Sequence, residues 1–449
     1  MSIMPLTRRS IFAQAWPIML GQTTVPLVGI VDTAVIGRTG DAAALAGVAL
    51  GATIVNFMFW SFGFLRMGMT GMTAQAQGSG DAAEVDALLV RGLAIGLGVG
   101  AVLFAAQLVL IPLALAVFAG GGAVHAAAGP FIAARFFGAP AGLAVFAING
   151  WLLGLGRTRA ALALQIVMNL ANAGLDILFV WHWHMGARGV GLGTSAAEWV
   201  ALGSGLWLVA PHLHALKDRA RLIDRNALAR LFAVNGDIMI RTVALLVLFS
   251  WFANAGARLG ATPLAANQVL MQAVALTAFI LDGFAFTAES RVGNALGARS
   301  RSGLARAIRL TGEFSLGAAL LFGMLLALLG APAIRLLVVD AGVREQAIAL
   351  LPLVVILPLV GFPAWLLDGI FIGATQGRAL RNAAIVATGL YILTDLALRP
   401  WGATGIWIAL LASYGYRAAA LGWHLPGLLR RVGDDEPGPG QGDVAADGG

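Results

Sequence analysis

The 449-residue chain contains no cysteine and a single lysine, and charged residues make up only 11% of it. Without cysteine, disulfide bonds, thiol nucleophiles and cysteine-based metal sites are excluded. Hydrophobic residues account for 59% of the chain, and 59 positions are glycine. An average soluble protein is about 45–50% apolar with glycine included and about 25% charged. This composition therefore predicts a polytopic membrane protein and excludes soluble enzymes, secreted proteins and disordered chains.

Apolar runs near the ~20 residues that cross a bilayer occur twelve times along the chain. They lie near 11–36, 43–70, 88–118, 127–153, 159–181, 190–211, 229–255, 264–288, 305–330, 346–372, 380–398 and 402–424. The runs are long and continuous, unlike the short alternating strands of a membrane β-barrel. The predicted fold is an all-α polytopic membrane protein with twelve transmembrane helices.

The placement of the basic residues predicts the orientation. With the N-terminus inside, nineteen Arg and Lys residues fall in cytoplasmic connections and six on the opposite side. Positive charge concentrates on the cytoplasmic side of membrane proteins, so we expect both termini in the cytoplasm. The net charge of +7 is explained by this topology and does not indicate a nucleic-acid partner. The excess of arginine over lysine suggests a GC-rich bacterial genome. The expected location is the bacterial inner membrane, which the chain would cross many times.

The chain divides into two similar halves. We expect an N-terminal lobe over 1–211 (helices 1–6), a cytoplasmic linker over 212–228, a C-terminal lobe over 229–425 (helices 7–12) and a disordered cytoplasmic tail over 426–449. Motifs recur in order in the two lobes, such as Gly156-Arg157-Thr158-Arg159 and Gly377-Arg378-Ala379 followed by Arg381. Six spans per half give both halves the same orientation. The sequence thus predicts a parallel pseudo-two-fold repeat, as in some secondary transporters.

Charged residues inside the spans are costly and usually functional. Asp32 lies in span 1, and Asp176 lies in span 5 with Asn169 and Asn172 seven and four residues earlier, on one helix face. Two carboxylates with amide neighbours could share a proton or supply oxygen ligands to a small cation. The alternative is a buried polar network that only holds helices together.

Other acidic residues in the spans are weaker candidates, Glu198 among them. Asp237 and Asp395 each precede an arginine by four residues, Arg241 and Arg399, and we interpret them as intrahelical ion pairs. Asp282 has no partner in sequence, and either a second coupling role or a helix-packing contact fits it.

Nothing in the sequence indicates an enzyme. There is no phosphate-binding glycine loop with lysine, no HExxH, no GxSxG and no long soluble domain. Without an ATP site, and with no cofactor predicted, transport would have to be driven by ions. Pro17 and Pro26 can bend span 1, which carries Asp32, and are candidate hinge residues.

Several stretches resemble the multidrug and toxic compound extrusion (MATE) family, in its DNA-damage-inducible F (DinF) branch. They are AWPIMLGQTTVPLVGIVDTAVIGRTG, NGDIMIRT, ARLGATPLAANQVL, ESRVGNALGA and DGIFIGATQGRALRN. The resemblance covers roughly residues 10–425. It implies two six-helix lobes around a central cleft and export of organic compounds in exchange for protons or sodium.

The resemblance also implies site residues. A helix 1 carboxylate, an Asn and an Asp one turn apart in helix 5, and a helix 6 Thr correspond to Asp32, Asn172, Asp176 and Thr194, which would form the H⁺ or Na⁺ site. Asn149 is loosely matched to a further amide of that pocket. Asp368 stands where the other MATE branch has a helix 10 carboxylate. That branch's helix 7 acid has no clear match, which favours coupling through the first lobe.

The function predicted from these observations is a secondary antiporter that exports amphipathic, often cationic drugs by alternating access. We expect it to be a monomer in contact with membrane lipids. The alternative is a lipid-intermediate flippase of the same exporter superfamily, which would carry a cationic cleft for pyrophosphate. Arg66, Arg135, Arg241 and Arg417 are the intramembrane cations that would have to form such a cleft. A membrane-embedded enzyme or a channel is disfavoured.

Overall fold

The computed structural model describes residues 6–117, 122–217 and 219–430, and these are almost entirely helical. The helices are α1 (Arg8–Gly37), α2 (Ala42–Trp60), α3 (Phe64–Gly78), α4 (Ala82–Val117), α5 (Gly122–Phe137), α6 (Ala139–Gly154), α7 (Thr158–Asp176), α8 (Gly186–Val209), α9 (Arg219–Leu222), α10 (Arg225–Arg258), α11 (Ala261–Gly297), α12 (Arg301–Leu337), α13 (Ala341–Gly373), α14 (Gly377–Leu398) and α15 (Gly402–Arg430). No β-strand occurs in these ranges, which confirms the all-α fold.

The helix ends follow local side-chain chemistry. Short polar side chains accept a backbone N–H of the first turn and so satisfy a group that the helix leaves unpaired. Asp41 caps α2 through Ala44 N at 2.9 Å, and Asp340 caps α13 through Val343 N at 2.8 Å. These caps place the starts of membrane helices at polar turns, where the sequence changes from charged to apolar.

Twelve spans are present, as predicted. Nine described stretches are long and apolar enough to cross a bilayer, or ten when α5 and α6, which meet at a 50° bend, form one span. One stretch, Gly377–Arg430, contains two helices that pack against each other, α14 and α15. The glycine-rich helix α8 has 24 residues and completes the set.

The two lobes repeat the same helix contacts. In the first lobe α1 packs on α7, α4 on α6 and α7 on α8; in the second, α10 packs on α14, α12 on α13 and α14 on α15. Each lobe also has its own buried core, around Trp151 in the first and Trp407 in the second. The predicted internal repeat is confirmed by this arrangement.

The connection and the tail differ in detail from the predicted bounds. A 3₁₀ turn continues α8 over Ala210–Lys217, and α10 begins at Arg225 inside the predicted linker. Helix α15 runs to Arg430 and so includes the first five residues of the predicted tail, because Leu425 and Leu429 still pack against the second lobe's core. The remainder of the predicted tail lies outside the described residues.

The lobes meet at the end of the bundle where α1 begins and α15 ends, here called the arginine-rich face. There α3 of the first lobe packs tightly on α11 and α13 of the second. Gln75 Nε2 donates to Gly373 O at 2.9 Å, and Ser290 Oγ donates to Gly154 O at 3.2 Å. Glycines permit this approach, since a Cβ at Gly293 would lie 2.7 Å from Ala74 Cβ. The interlobe cleft is therefore closed on the arginine-rich face.

Candidate functional site

Four polar side chains from three helices form a cluster in the first lobe. Asp32 comes from α1, Asn172 and Asp176 from α7, and Thr194 from α8. Asn172 Nδ2 donates to Asp176 Oδ2 at 3.1 Å, to Thr194 Oγ1 at 3.1 Å and, more weakly, to Asp32 Oδ1 at 3.4 Å. The four residues matched to the MATE site thus lie together, with the Asn172 amide between two carboxyl groups.

The cluster is buried and incompletely hydrogen-bonded. Asp176 is fully buried, and Asn172 and Asp32 are 2% and 8% exposed. The Asn172 Nδ2 group contacts both carboxyl groups. Asp176 Oδ1 and Asn172 Oδ1 have no hydrogen-bond partner among the described residues. Buried polar groups nearly always have a hydrogen-bond partner, so these two oxygens without one indicate that the cluster can bind a proton or a cation.

The backbone around Asp176 is adapted to this contact. After Asp176 the helix widens into a π-helical turn, Ile177–His182, a feature common at functional sites. Across from it, a Cβ at Gly193 would lie 3.0 Å from Asp176 N, so only glycine lets α8 approach this closely. Trp181 of the π-helical turn donates through Nε1 to Val35 O of α1 at 3.0 Å. The carboxylate pair is therefore built where α1, α7 and α8 converge.

An arginine that the sequence did not assign to the site lies beside it. Arg135 of α5 interacts electrostatically with both Asp32 and Asp176, and its Nη2 donates to Glu198 Oε1 at 2.9 Å. Three carboxyl groups, counting Glu198, thus face one guanidinium, a local excess of negative charge. In the sequence, Arg135 stands out as an arginine inside a span. Its partners could not be predicted, because they belong to helices far away along the chain.

A second cluster of polar side chains lies at a cavity of about 260 Å³ between the two lobes. Asp368 accepts a hydrogen bond from Arg241 Nη2, and Arg417 Nε lies 3.7 Å from the same carboxyl group. Arg66 of α3 lies 3.5 Å from Glu289. Asp282 also lines the cavity and has neither a hydrogen bond nor an ion pair with a described residue.

The charges balance when Arg66 is counted: Arg241 and Arg417 line the cavity with three carboxyl groups, and Arg66 pairs with one of these, Glu289, without lining the cavity itself. In the sequence, Glu289 is the first residue of the stretch ESRVGNALGA, and its pairing with Arg66 depends on the contact between the lobes. Asn149 does not join the first-lobe cluster: its buried Oδ1 lacks a partner, and it has no hydrogen bond to Asp32, Asn172 or Asp176.

Both predicted intrahelical ion pairs are wrong. Asp237 accepts from Arg381 Nη1 of α14 at 2.7 Å, while Arg241 turns to Asp368, whose buried charge has a greater need of a counterion. Asp395 accepts from Trp251 Nε1 at 2.8 Å and lies 3.4 Å from Arg258 Nη2. Arg399 is exposed just past the end of α14 at Leu398, whereas Asp395 is buried and takes its partners from α10.

The hinge assignment is not decided by this conformation. Helix α1 passes through Pro17 and Pro26 as one 30-residue helix. Bending of α1 at either proline stays a prediction.

The fold and the buried ionisable groups define a polytopic transporter of the two-lobe type. The MatE family model matches the chain twice, over residues 17–178 and 238–396, once in each lobe. The chain therefore belongs to the MATE family of transporters.

Individual relatives agree with this assignment. The chain is 38% identical to DNA damage-inducible protein F of Escherichia coli K12 over 94% of its own length and 92% of the relative's. It is 27% identical to a probable multidrug resistance protein NorM of Pseudomonas syringae, covering 94% and 97%. Its fold superposes on a crystal structure of MATE in complex with MaD3S with a TM-score of 0.85 at 18% identity, covering 94% and 97%.

Proposed function

We propose that this protein is a proton-driven antiporter that exports amphipathic or cationic organic compounds across a bacterial inner membrane. It works as a monomer without a cofactor, with both termini and the arginine-rich face in the cytoplasm. Family membership and the multidrug resistance relatives support the class of activity. The observation that carries the coupling mechanism is the buried pair Asp32 and Asp176, joined through one amide and short of positive charge.

Electrostatic repulsion between the two carboxylates couples their protonation to the packing of the helices that carry them. Two unit charges ~4 Å apart repel by about 4 kcal/mol at an effective dielectric constant of ~20. One bound proton removes that repulsion. Arg135 cannot neutralise both carboxylates, because it is already paired with Glu198. A proton entering the pair therefore changes the preferred packing of α1 against α7, and this change is the coupling step we propose.

The orientation of Asn172 favours a proton over Na⁺. Its Nδ2 group, a donor, points at both carboxyl groups and at Thr194. A sodium ion bound by Asp32, Asp176 and Thr194 would need oxygen ligands on all sides, so the Asn172 amide would have to turn and present Oδ1. The hydrogen-bonded arrangement instead suits a pair of carboxyl groups that holds one proton.

The cavity between the lobes is the proposed substrate site. Five aromatic side chains from both lobes line it: Trp60, Phe249, Phe286, Trp365 and Tyr414. Flat apolar walls with a few polar groups are typical of small-molecule sites. The Asp368 and Glu289 carboxyl groups are engaged by arginines, which leaves Asp282 to attract a cationic substrate. At about 260 Å³ the cavity accepts part of a drug-sized molecule, with the remainder in the cleft.

Closure of the cleft at the arginine-rich face supports the proposal that this conformation belongs to the outward-facing half of the cycle, given the orientation proposed above. In the inward-facing half, α3 must separate from α11 and α13, breaking contacts such as Gln75 with Gly373. Protonation of the Asp32 pair would repack α1, bending it at Pro17 or Pro26, and release substrate outward.

One observation favours the flippase alternative. Two of the four intramembrane arginines, Arg241 and Arg417, line the cavity between the lobes, and Arg66 pairs with Glu289, which also lines it. A pyrophosphate group would have to displace Asp368 and Glu289 from them, which places this function second. Translocation of a polyprenyl pyrophosphate in proteoliposomes, without ethidium efflux, would reverse the order.

The proposed function is tested by efflux of ethidium from proteoliposomes under an imposed pH gradient or, separately, a Na⁺ gradient. Wild type, Asp32→Asn and Asp176→Asn are compared, with Asp237→Asn as the matched control at an arginine-paired carboxylate. We expect proton-driven efflux in wild type and in the control, and none in the two site variants. Efflux driven by Na⁺ alone would overturn the choice of ion, and equal efflux in all four proteins would overturn the site.

A further inference from the structure

A second polar cavity, of about 530 Å³, opens at the arginine-rich face along the seam between the lobes. The first lobe contributes the start of α1, the end of α3 and the connection from α6 to α7; the second contributes α11. This seam pocket is separate from both the Asp32 cluster and the aromatic cavity, because it lies at the opposite end of α1 from Asp32 and shares no lining residue with the aromatic cavity.

Arginines from both lobes line the seam pocket. They are Arg157 and Arg159 from the first lobe and Arg291 from the second, and no carboxylate is among the described residues that line the pocket. A neighbouring basic groove at the same face is different. There Glu313 accepts from Arg8 and Arg309, each at 2.9 Å, so a carboxylate of the groove itself pairs with two of its four arginines.

Hydrogen-bond donors converge on the same space. Helix α7 begins at Thr158 with no side-chain cap, and its first-turn residues Thr158 and Arg159 line the pocket. The first N–H groups of a helix have no acceptor inside it and attract anions. Gly156, at φ +69°, takes the chain into this turn.

A buried side chain without a partner also faces the pocket. Gln14 is only 5% exposed and lines the pocket, yet neither its Nε2 nor its Oε1 has a hydrogen-bond partner in the described part of the chain. Its Nε2 would be 3.5 Å from a Cβ placed on Gly156, directly beside the start of α7. An amide left unpaired at such a position indicates that a polar ligand belongs there.

We propose that the seam pocket binds a phosphate group, presented either by the headgroup of an anionic phospholipid or by a free phosphate in the cytoplasm. Arginine matches phosphate oxygens bidentately, and the α7 N-terminus and Gln14 add neutral donors. Basic pockets between membrane helices on the cytoplasmic side are known to take anionic headgroups. Because Arg159 and Arg291 belong to different lobes, a bound phosphate stabilises the closed seam and thereby the outward-facing conformation.

Binding is measured on the purified full chain in dodecyl maltoside by isothermal titration calorimetry. The probes are inorganic phosphate, monomeric dihexanoyl phosphatidylglycerol and, as the neutral comparison, dihexanoyl phosphatidylcholine. We expect saturable one-to-one binding of at least one anionic probe and none of phosphatidylcholine. Tighter binding of phosphatidylglycerol than of phosphate identifies the lipid headgroup, and the reverse identifies the free anion. No saturable binding of either anionic probe overturns the proposal.

Variants localise the site. Arg159→Gln with Arg291→Gln is expected to weaken binding at least about tenfold, since it removes two charge-assisted contacts. Arg159→Lys with Arg291→Lys keeps the charge but loses the two-pronged geometry of the guanidinium group, and it is expected to weaken binding less. This smaller effect would show that the loss in the glutamine variant is not due to misfolding. Arg306→Gln, in the groove that contains Glu313, is the matched control, and equal weakening there would show non-specific attraction and overturn the site.

Gln14→Met gives an independent readout. It removes the unpaired amide while keeping the shape, so we expect weaker phosphate binding together with a melting temperature that is unchanged or higher in the absence of anion. A lower melting temperature with unchanged binding would show that Gln14 has a structural role and would remove it from the proposed site.

Discussion

Replacing Asp32 by Asn tests the coupling mechanism most directly, because the substitution keeps the shape of the side chain and removes one member of the carboxylate pair. In wild type, the doubly ionised pair carries a repulsion of about 4 kcal/mol, estimated for unit charges ~4 Å apart at an effective dielectric constant of ~20. That energy corresponds to a factor of roughly a thousand between two arrangements of α1. In Asp32→Asn this difference disappears, so a pH gradient no longer biases the position of the helix.

The assay is ethidium efflux from proteoliposomes under an imposed pH gradient, normalised to reconstituted protein. We expect Asp32→Asn to fall to the rate of protein-free liposomes, while its thermal stability stays at or above that of wild type because a repulsive contact has been removed. The Asp237→Asn control loses one partner of the half-exposed Arg381 and should retain gradient-driven efflux. Efflux at the wild-type rate by a folded Asp32→Asn protein would refute the proposed coupling.

Three further predictions concern stability and the second lobe. Asp368→Asn leaves Arg241 without its carboxylate, so we expect the free energy of unfolding to fall by about 3–5 kcal/mol, seen as a lower melting temperature by tryptophan fluorescence. Adding Arg241→Gln to this variant should restore part of the lost stability. No recovery in the double variant would contradict the pairing. Asp395→Asn weakens the contacts of Trp251 and Arg258 by about 1 kcal/mol but should leave proton-driven efflux intact, whereas its loss would assign coupling to the second lobe. Gly154→Ala puts a Cβ 2.7 Å from a backbone oxygen of α3 and should destabilise the protein by about 1–3 kcal/mol in denaturation, while Gly98→Ala, with open space around it, should not.

The cluster around Asn172 explains why part of the site was predictable. Asn172 and Asp176 lie four residues apart on one helix, so the sequence alone places them on a common face. That Asp32 and Thr194 meet them depends on how α1 and α8 pack on α7, and this was inferred from the resemblance to MATE proteins. Asn149 shows the limit of such an inference, since its loose match is not accompanied by contact with the cluster.

The ion pairs show what local spacing cannot decide. Asp237 and Asp395 both have an arginine four residues later, yet both take partners from other helices. A surface i,i+4 pair contributes only about 0.3–0.5 kcal/mol, whereas leaving a buried charge unpaired costs several kcal/mol. Arg241 therefore pairs with the buried Asp368 and not with Asp237, its neighbour in sequence.

The sequence by itself determined the number of spans, the helical class and the two-fold repeat, because a bilayer requires long apolar helices and penalises charge wherever it occurs along the chain. The tertiary structure alone decided where that charge is compensated. Packing brings one arginine close to three carboxyl groups in the first lobe. In the second lobe Arg241 and Arg417 lie at the Asp368 carboxyl group, and Arg66 reaches Glu289 from the first lobe. Charge balance depends on distances between helices far apart in sequence, and this is why the two lobes, alike in fold, differ in the chemistry they can perform.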